Sequence, residues 1–229
     1  MKKLIVTMVL VSLLIASLFS ATKNSTTPST GTAQGSATYS AETAANYKYQ
    51  TNDKNRMVTI GSVSEKFQGP VLVTSFGQST DGSMIEQVMK RLKTVSYAYN
   101  PTATGADING VKTVVIAVGN STKGLGAAGI SQEQETARAK EFMASAEKAG
   151  VKVICCHIGG ATRRGALSDA FADMVLPLSS FIVVKEDGNE DGKFTSFASS
   201  HNIPITLVYG SKDTVDAFKA IFLGGHFGY

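Results

Sequence analysis

From Pro70 onward, short β-branched apolar runs alternate with longer segments of helical character, and this alternation confines the chain to one class of fold. The runs are Val71–Phe76, Thr113–Val118, Val151–Ile158, Phe181–Val184 and Ile205–Tyr209, with a weaker one at Ser96–Tyr99. They are continuously apolar, with no alternation of polar and apolar residues, which is the pattern of strands covered on both faces in a parallel sheet. Between them lie helical segments at Met84–Leu92, Gln132–Ala149, Leu167–Met174, Phe194–Ser200 and Thr214–Phe222, with a turn or two at Ala103–Ile108. Ser131 and Gln134 have capping-box spacing at the start of the longest helix, and Gly150 closes it. Ser83 and Glu86 repeat that spacing. Strand and helix in alternation predict a three-layer α/β/α doubly wound sheet with right-handed crossovers. The expected strand order is 2-1-3-4-5 with the sixth strand at the edge, and Met57–Ile60 is a candidate for one more short edge strand.

The residues before this domain differ in kind. Lys2 and Lys3 precede an apolar run from Leu4 to Phe19, and small residues follow at Ser20 and Ala21, the order of a secretory signal. Residues 1–20 are therefore expected to be a signal peptide or an N-terminal anchor. No cysteine follows the run to make a lipoprotein start. Residues 21–66 are a tether and lead-in, rich at first in Ser, Thr, Ala and Gly and too poor in large apolar groups to offset the entropy of ordering. Asn24-Ser25-Thr26 matches a glycosylation acceptor. The α/β domain then spans 67–224, with a tail at 225–229. An extracytoplasmic location follows, secreted or held at the membrane through residues 4–19 alone.

The formal charge of +4 falls to 20 basic against 18 acidic residues once Lys2 and Lys3 are set aside, an excess too small for a nucleic-acid partner. The only two cysteines, Cys155 and Cys156, are neighbours on one predicted strand. They point to opposite faces, cannot easily bridge and read as core thiols.

In a doubly wound sheet the ligand crevice lies beyond the carboxyl ends of the strands, where the winding reverses. Five small, polar loops follow the predicted strands: residues 77–83, 119–126, 159–165, 187–192 and 210–213. Their glycines allow close approach of backbone N–H groups to a ligand. The expected contacts are Gln78, Ser79, Thr80, Asn120, Ser121, Lys123, Arg163, Arg164 and Asn189, with the three cations positioned to neutralise a small phosphate or carboxylate. The alternative for the cations is solvent, or pairing with Glu190, Asp191 or Asp169. Asp187, Glu190 and Asp191 form an acidic run that reads as a turn, and no metal site is assigned. His157, at the end of a predicted strand, is the one candidate catalytic base, with Ser75 or Ser79 as nucleophile; His201 and His226 lie elsewhere. No nucleophile elbow, metal-binding His pair or Gly-Lys-Ser phosphate loop is present.

The stretch Val71–Ser83 resembles the first strand and phosphate loop of the flavodoxin family, in which hydroxyl residues and a Gly wrap the flavin phosphate. Here Asp81 puts a negative charge where that phosphate would lie, and the loops 120–129 and 159–165 contain no aromatic to stack a flavin. Flavin is thus disfavoured and no other cofactor is identified. More closely, Pro70–Val208 resembles an uncharacterised family of exported bacterial α/β domains. The resemblance rests on the strings Pro70–Ser75, Lys123–Ile130, His157–Gly160, Arg163–Gly165 and Glu186–Asn189. It implies the fold and the location, and no activity. The expected function is an exported binding or accessory module of the cell envelope for a small anion. The alternatives are an extracytoplasmic hydrolase or transferase using His157, and a protein-interaction module.

Overall fold

The computed structural model describes residues 57–61, 63 and 66–224. The expected leader, most of the tether, His226 and the tail lie outside the described residues. In chain order the elements are β1 (Val58–Ile60), β2 (Val71–Phe76), α1 (Asp81–Leu92), β3 (Tyr97–Tyr99), β4 (Thr113–Val118), α2 (Thr122–Ala128) and α3 (Gln132–Ala149). There follow β5 (Lys152–His157), α4 (Ala166–Val175), β6 (Ser179–Lys185), α5 (Lys193–His201), β7 (Ile205–Val208) and α6 (Ser211–Lys219).

The strands form one sheet in the order β1-β7-β6-β5-β4-β2-β3. Every neighbouring pair is parallel except β1 with β7. The order of the six predicted strands is as expected, with one correction. The sixth, β7, is not the edge, because β1 pairs along its outer side and Thr59 and Thr206 join hydroxyls there at 2.8 Å. An added strand of this kind satisfies the N–H and C=O groups that an exposed edge leaves open.

Each face of the sheet carries its own apolar layer. Leu72, Ile116, Cys155 and Ile182 pack with Phe142 of α3, Phe171 of α4 and Phe194 of α5. On the other face Val73, Val115, Cys156 and Val183 pack with Ile85 and Met89 of α1 and Phe218 of α6. The doubly wound arrangement follows directly. The two cysteines are free, buried and on opposite faces, and burial pushes both thiol pKa values up.

Helix ends follow their local chemistry. Ser131 and Gln134 form the reciprocal capping box, and Gly150 ends α3 in the left-handed conformation. The predicted box at Ser83 does not form. Helix α1 starts at Asp81, and Ser83, already in its first turn, donates its hydroxyl to the Thr80 carbonyl. The run 122–128, expected as loop, is helix α2, started by Ser121, whose Oγ accepts from the Gly124 N–H at 3.1 Å. Among the described residues no helix is long and apolar enough to cross a membrane.

Candidate functional site

Strand β2 has β3 on one side and β4 on the other, so the winding reverses between β2 and β4 and the loops after these strands flank the switch point. These loops are packed on each other. Gly77 has a φ of 88°, and a Cβ there would stand 2.8 Å from the Asn120 Cα, which explains the glycine on both conformational and steric grounds. Gln78 follows at φ 55° and forms an isolated bridge with Asn120. A left-handed non-glycine residue needs surrounding support. It comes from a buried ion pair on α3. Glu135, fully buried, accepts from the Gly77 N–H at 2.8 Å and from Gln78 Nε2 at 3.1 Å. Arg138 meets Glu135 through Nε at 2.8 Å and a terminal nitrogen at 2.7 Å, and also donates to the Ser75 and Ala103 carbonyls. Gln78 Nε2 also donates to the Pro101 carbonyl at 2.8 Å, so this side chain braces the loop.

The predicted contacts thus divide. Ser121 caps α2, and Asn189 caps α5, its Oδ1 accepting from the Phe194 and Thr195 N–H groups. Arg164 is committed to the protein itself. Its guanidinium meets Asp169 at 2.8 and 3.0 Å and Asp191 at 2.7 and 2.9 Å, donates to the Gly188 carbonyl and lies over Phe194. These contacts lower the Asp169 carboxyl pKa and hold that of Asp191 down to about 2, chiefly through the guanidinium hydrogen bonds. Asp187 pairs with Lys185 through Oδ2 at 2.8 Å while its Oδ1 is buried without a partner, so two of the three acids of the run 187–191 are held by internal cations.

Of the remaining groups, Ser79 and Arg163, with Thr80 on Arg163, lie about Asp81, which in the sequence reads only as an obstacle to phosphate. Asp81 opens α1, is 1% exposed and donates its N–H to Ser79 Oγ at 3.3 Å. Its carboxylate lies over the ends of β4 and β5. A Cβ on Gly159 would stand 2.7 Å from Asp81 Oδ2, and one on Gly119 3.7 Å. Burial raises the Asp81 pKa, opposed by His157, Arg163 and the Gly159 N–H. Oδ2 has no hydrogen-bond partner. Arg163 is half-buried beside it, packs its stem on Gly159 and makes a single long bond, 3.5 Å, to Oγ1 of the exposed Thr80. Lys123 is exposed at the start of α2, and Asn120 donates its N–H to Ser168 Oγ while its Oδ1 is buried without a partner.

His157 is 1% exposed and stacks on Phe194 at 5.4 Å. Nδ1 lies 3.0 Å from the Val118 carbonyl and Nε2 3.3 Å from that of Gly160, so both nitrogens face backbone acceptors. Ser75 is not its nucleophile. Ser75 alternates with Val71 and Val73 on the α1 face, whereas His157 alternates with Val153 and Cys155 on the face of α3 to α5. The sheet separates them, and Ser75 Oγ is buried without a partner.

A family model described as a domain of unknown function (DUF6305) matches residues 68–222. The chain belongs to this family. No curated protein and no solved structure matches it. The DUF6305 match runs from the residues before β2 through the turn after α6, and so contains every side chain gathered around Asp81.

Proposed function

We propose that this DUF6305 domain is a small-ligand binding or accessory module of the cell envelope, which takes its ligand over the carboxyl ends of β2, β4 and β5. The export half of the reading rests on the charged, apolar and small-residue order of residues 1–21. One observation carries the binding half: a buried carboxylate oxygen, Asp81 Oδ2, without a partner beside a guanidinium that makes one long bond. Buried polar atoms in folded proteins are nearly always paired, so an orphan at a topological switch point marks a place for an incoming group. Arg163, with Thr80 next to it, meets an acidic group of the ligand, and Lys123 adds positive charge at the exposed start of α2. Ser79 positions Asp81, while Gln78, Ser121, Arg164 and Asn189 hold the loops.

The test is thermal unfolding of the full chain against panels of nucleotides, phosphates, carboxylates and amino acids. A ligand that binds only the folded state stabilises it, by roughly 2.7 kcal/mol at a hundred times its Kd. The expected result is a raised Tm with at least one class, removed in Arg163→Gln. Melts unmoved by every panel, or a shift that Arg163→Gln leaves intact, would count against the site.

A further inference from the structure

Asp81 and Arg163 are opposite charges that both lie against Gly159, where a single Cβ would touch the Arg163 stem and Asp81 Oδ2, yet among the described residues no ion pair within 4.0 Å joins them. Each retains bonding capacity. Asp81 Oδ2 accepts from nothing although Asp81 is 1% exposed. Arg163 has five N–H donors and uses one, at 3.5 Å. Nearby the chain pairs charges closely: Arg164 with two aspartates and Lys185 with Asp187 around the loops, and Arg138 with Glu135 on α3. Asp187 Oδ1 is also buried without a partner, but its Oδ2 is paired with Lys185, whereas Asp81 has no ion pair at either oxygen among the described residues.

Deepening the binding function proposed above and resting on it, we infer that the ligand is a small zwitterion of α-amino-acid type, its ammonium on Asp81 Oδ2 and its carboxylate on Arg163. A plain anion would leave Asp81 Oδ2 without a donor and set a second negative charge beside a desolvated carboxylate. A plain cation would satisfy Asp81 but face Arg163. An α-amino acid carries three N–H donors and a planar carboxylate one carbon apart, the latter matched to the guanidinium fork. Its ends complement the two open groups with the right signs. His157, which also acts to lower the Asp81 pKa, offers a ligand no free nitrogen, because both face the Val118 and Gly160 carbonyls. Nor do the described residues include a group of three His, Cys, Asp or Glu side chains placed to bring a metal ion to Asp81.

The experiment uses the full chain and differential scanning fluorimetry, followed by calorimetric titration of whatever shifts the melt. The probes are the common L-α-amino acids taken singly at millimolar concentration, with propionate, inorganic phosphate and ethylamine as single-charge controls. The expected result is that at least one amino acid raises Tm, while its N-acetyl and methyl-ester derivatives and the three controls do not. Asp81→Asn and Arg163→Gln then each weaken that amino acid by about tenfold or more, as expected when one partner of a desolvated charge contact is removed. Arg163 is half-buried in a loop, so its variant remains informative if Asp81→Asn alters folding. If propionate or phosphate binds as well as any amino acid and Arg163→Gln abolishes it, the zwitterion is overturned and the binding site stands. Amino-acid binding unchanged in Asp81→Asn overturns the ammonium contact. Silence from these probes overturns the zwitterion, and silence from the nucleotide panel as well overturns both readings.

Discussion

Replacing Arg138 with Met tests whether the pair on α3 holds the switch-point loops in place. The Arg138 side chain is 12% exposed, and its partner Glu135 has none of its side chain exposed. Methionine keeps an unbranched apolar stem beside Phe76, over whose ring the guanidinium lies at 5.1 Å, but removes the charge and all four hydrogen bonds. Glu135 is then a buried carboxylate with two donors, Gly77 N–H and Gln78 Nε2, and no counter-charge. Removing one partner of a buried pair costs about 3–5 kcal/mol, against about 1 kcal/mol or less for an exposed one. On a domain whose whole stability is of order 5–15 kcal/mol, that is a large fraction. Urea unfolding followed by circular dichroism measures it, with an unchanged m-value showing that the denatured state is not the cause. Arg138→Met combined with Glu135→Gln should cost less than the two singles added together, by roughly 1–3 kcal/mol, because the uncompensated charge is gone. A cost for Arg138→Met below about 1 kcal/mol, or strict additivity, would refute the reasoning.

Gly77→Ala combines a left-handed φ with a Cβ against the Gly119–Asn120 backbone, and should cost roughly 2–4 kcal/mol by the same unfolding assay. Cys155 and Cys156 should resist a thiol reagent in the native chain and both react after unfolding, since burial on opposite faces raises their pKa values and blocks access. Asp81→Asn should change the pH dependence of stability. Burial raises the Asp81 pKa against the opposing pull of His157, Arg163 and the Gly159 N–H, so folding favours the neutral acid. That contribution is present below the ordinary aspartate range and is lost as pH rises through the raised value. The Asn variant should therefore be more stable than its parent at neutral pH, the gap closing below about pH 4, as unfolding at the two pH values will show.

The sheet was legible because strands buried on both faces leave continuous β-branched runs, and α3 because a capping box and a glycine marked both its ends. Helix α2 was not, since Gly124, Gly126 and Gly129 read as loop and its first turn depends on a single Ser121 bond. The same continuous apolarity that revealed the strands concealed which face each residue takes. With no polar side to count from, Ser75 and His157 could be paired on paper although the sheet divides them. Arg164 and Arg163 are adjacent and chemically identical, and only tertiary contact assigns one to Asp169 and Asp191 and leaves the other beside Asp81. The role of Asp81 is hidden in the sequence for a related reason. Its charge was visible, but its burial depends on β4 and β5, which bring Gly119 and Gly159 against it from far along the chain.

The pairing of β1 with β7 joins hydroxyls 147 residues apart, and it has a temporal meaning. A chain that emerges from its amino end presents β1 first, and that strand must wait for nearly the whole domain before its partner exists. The parallel core, by contrast, can assemble strand by strand as each crossover is completed. Closing so long a loop is entropically slow, so docking of β1 is expected to be a late event that seals a sheet already formed.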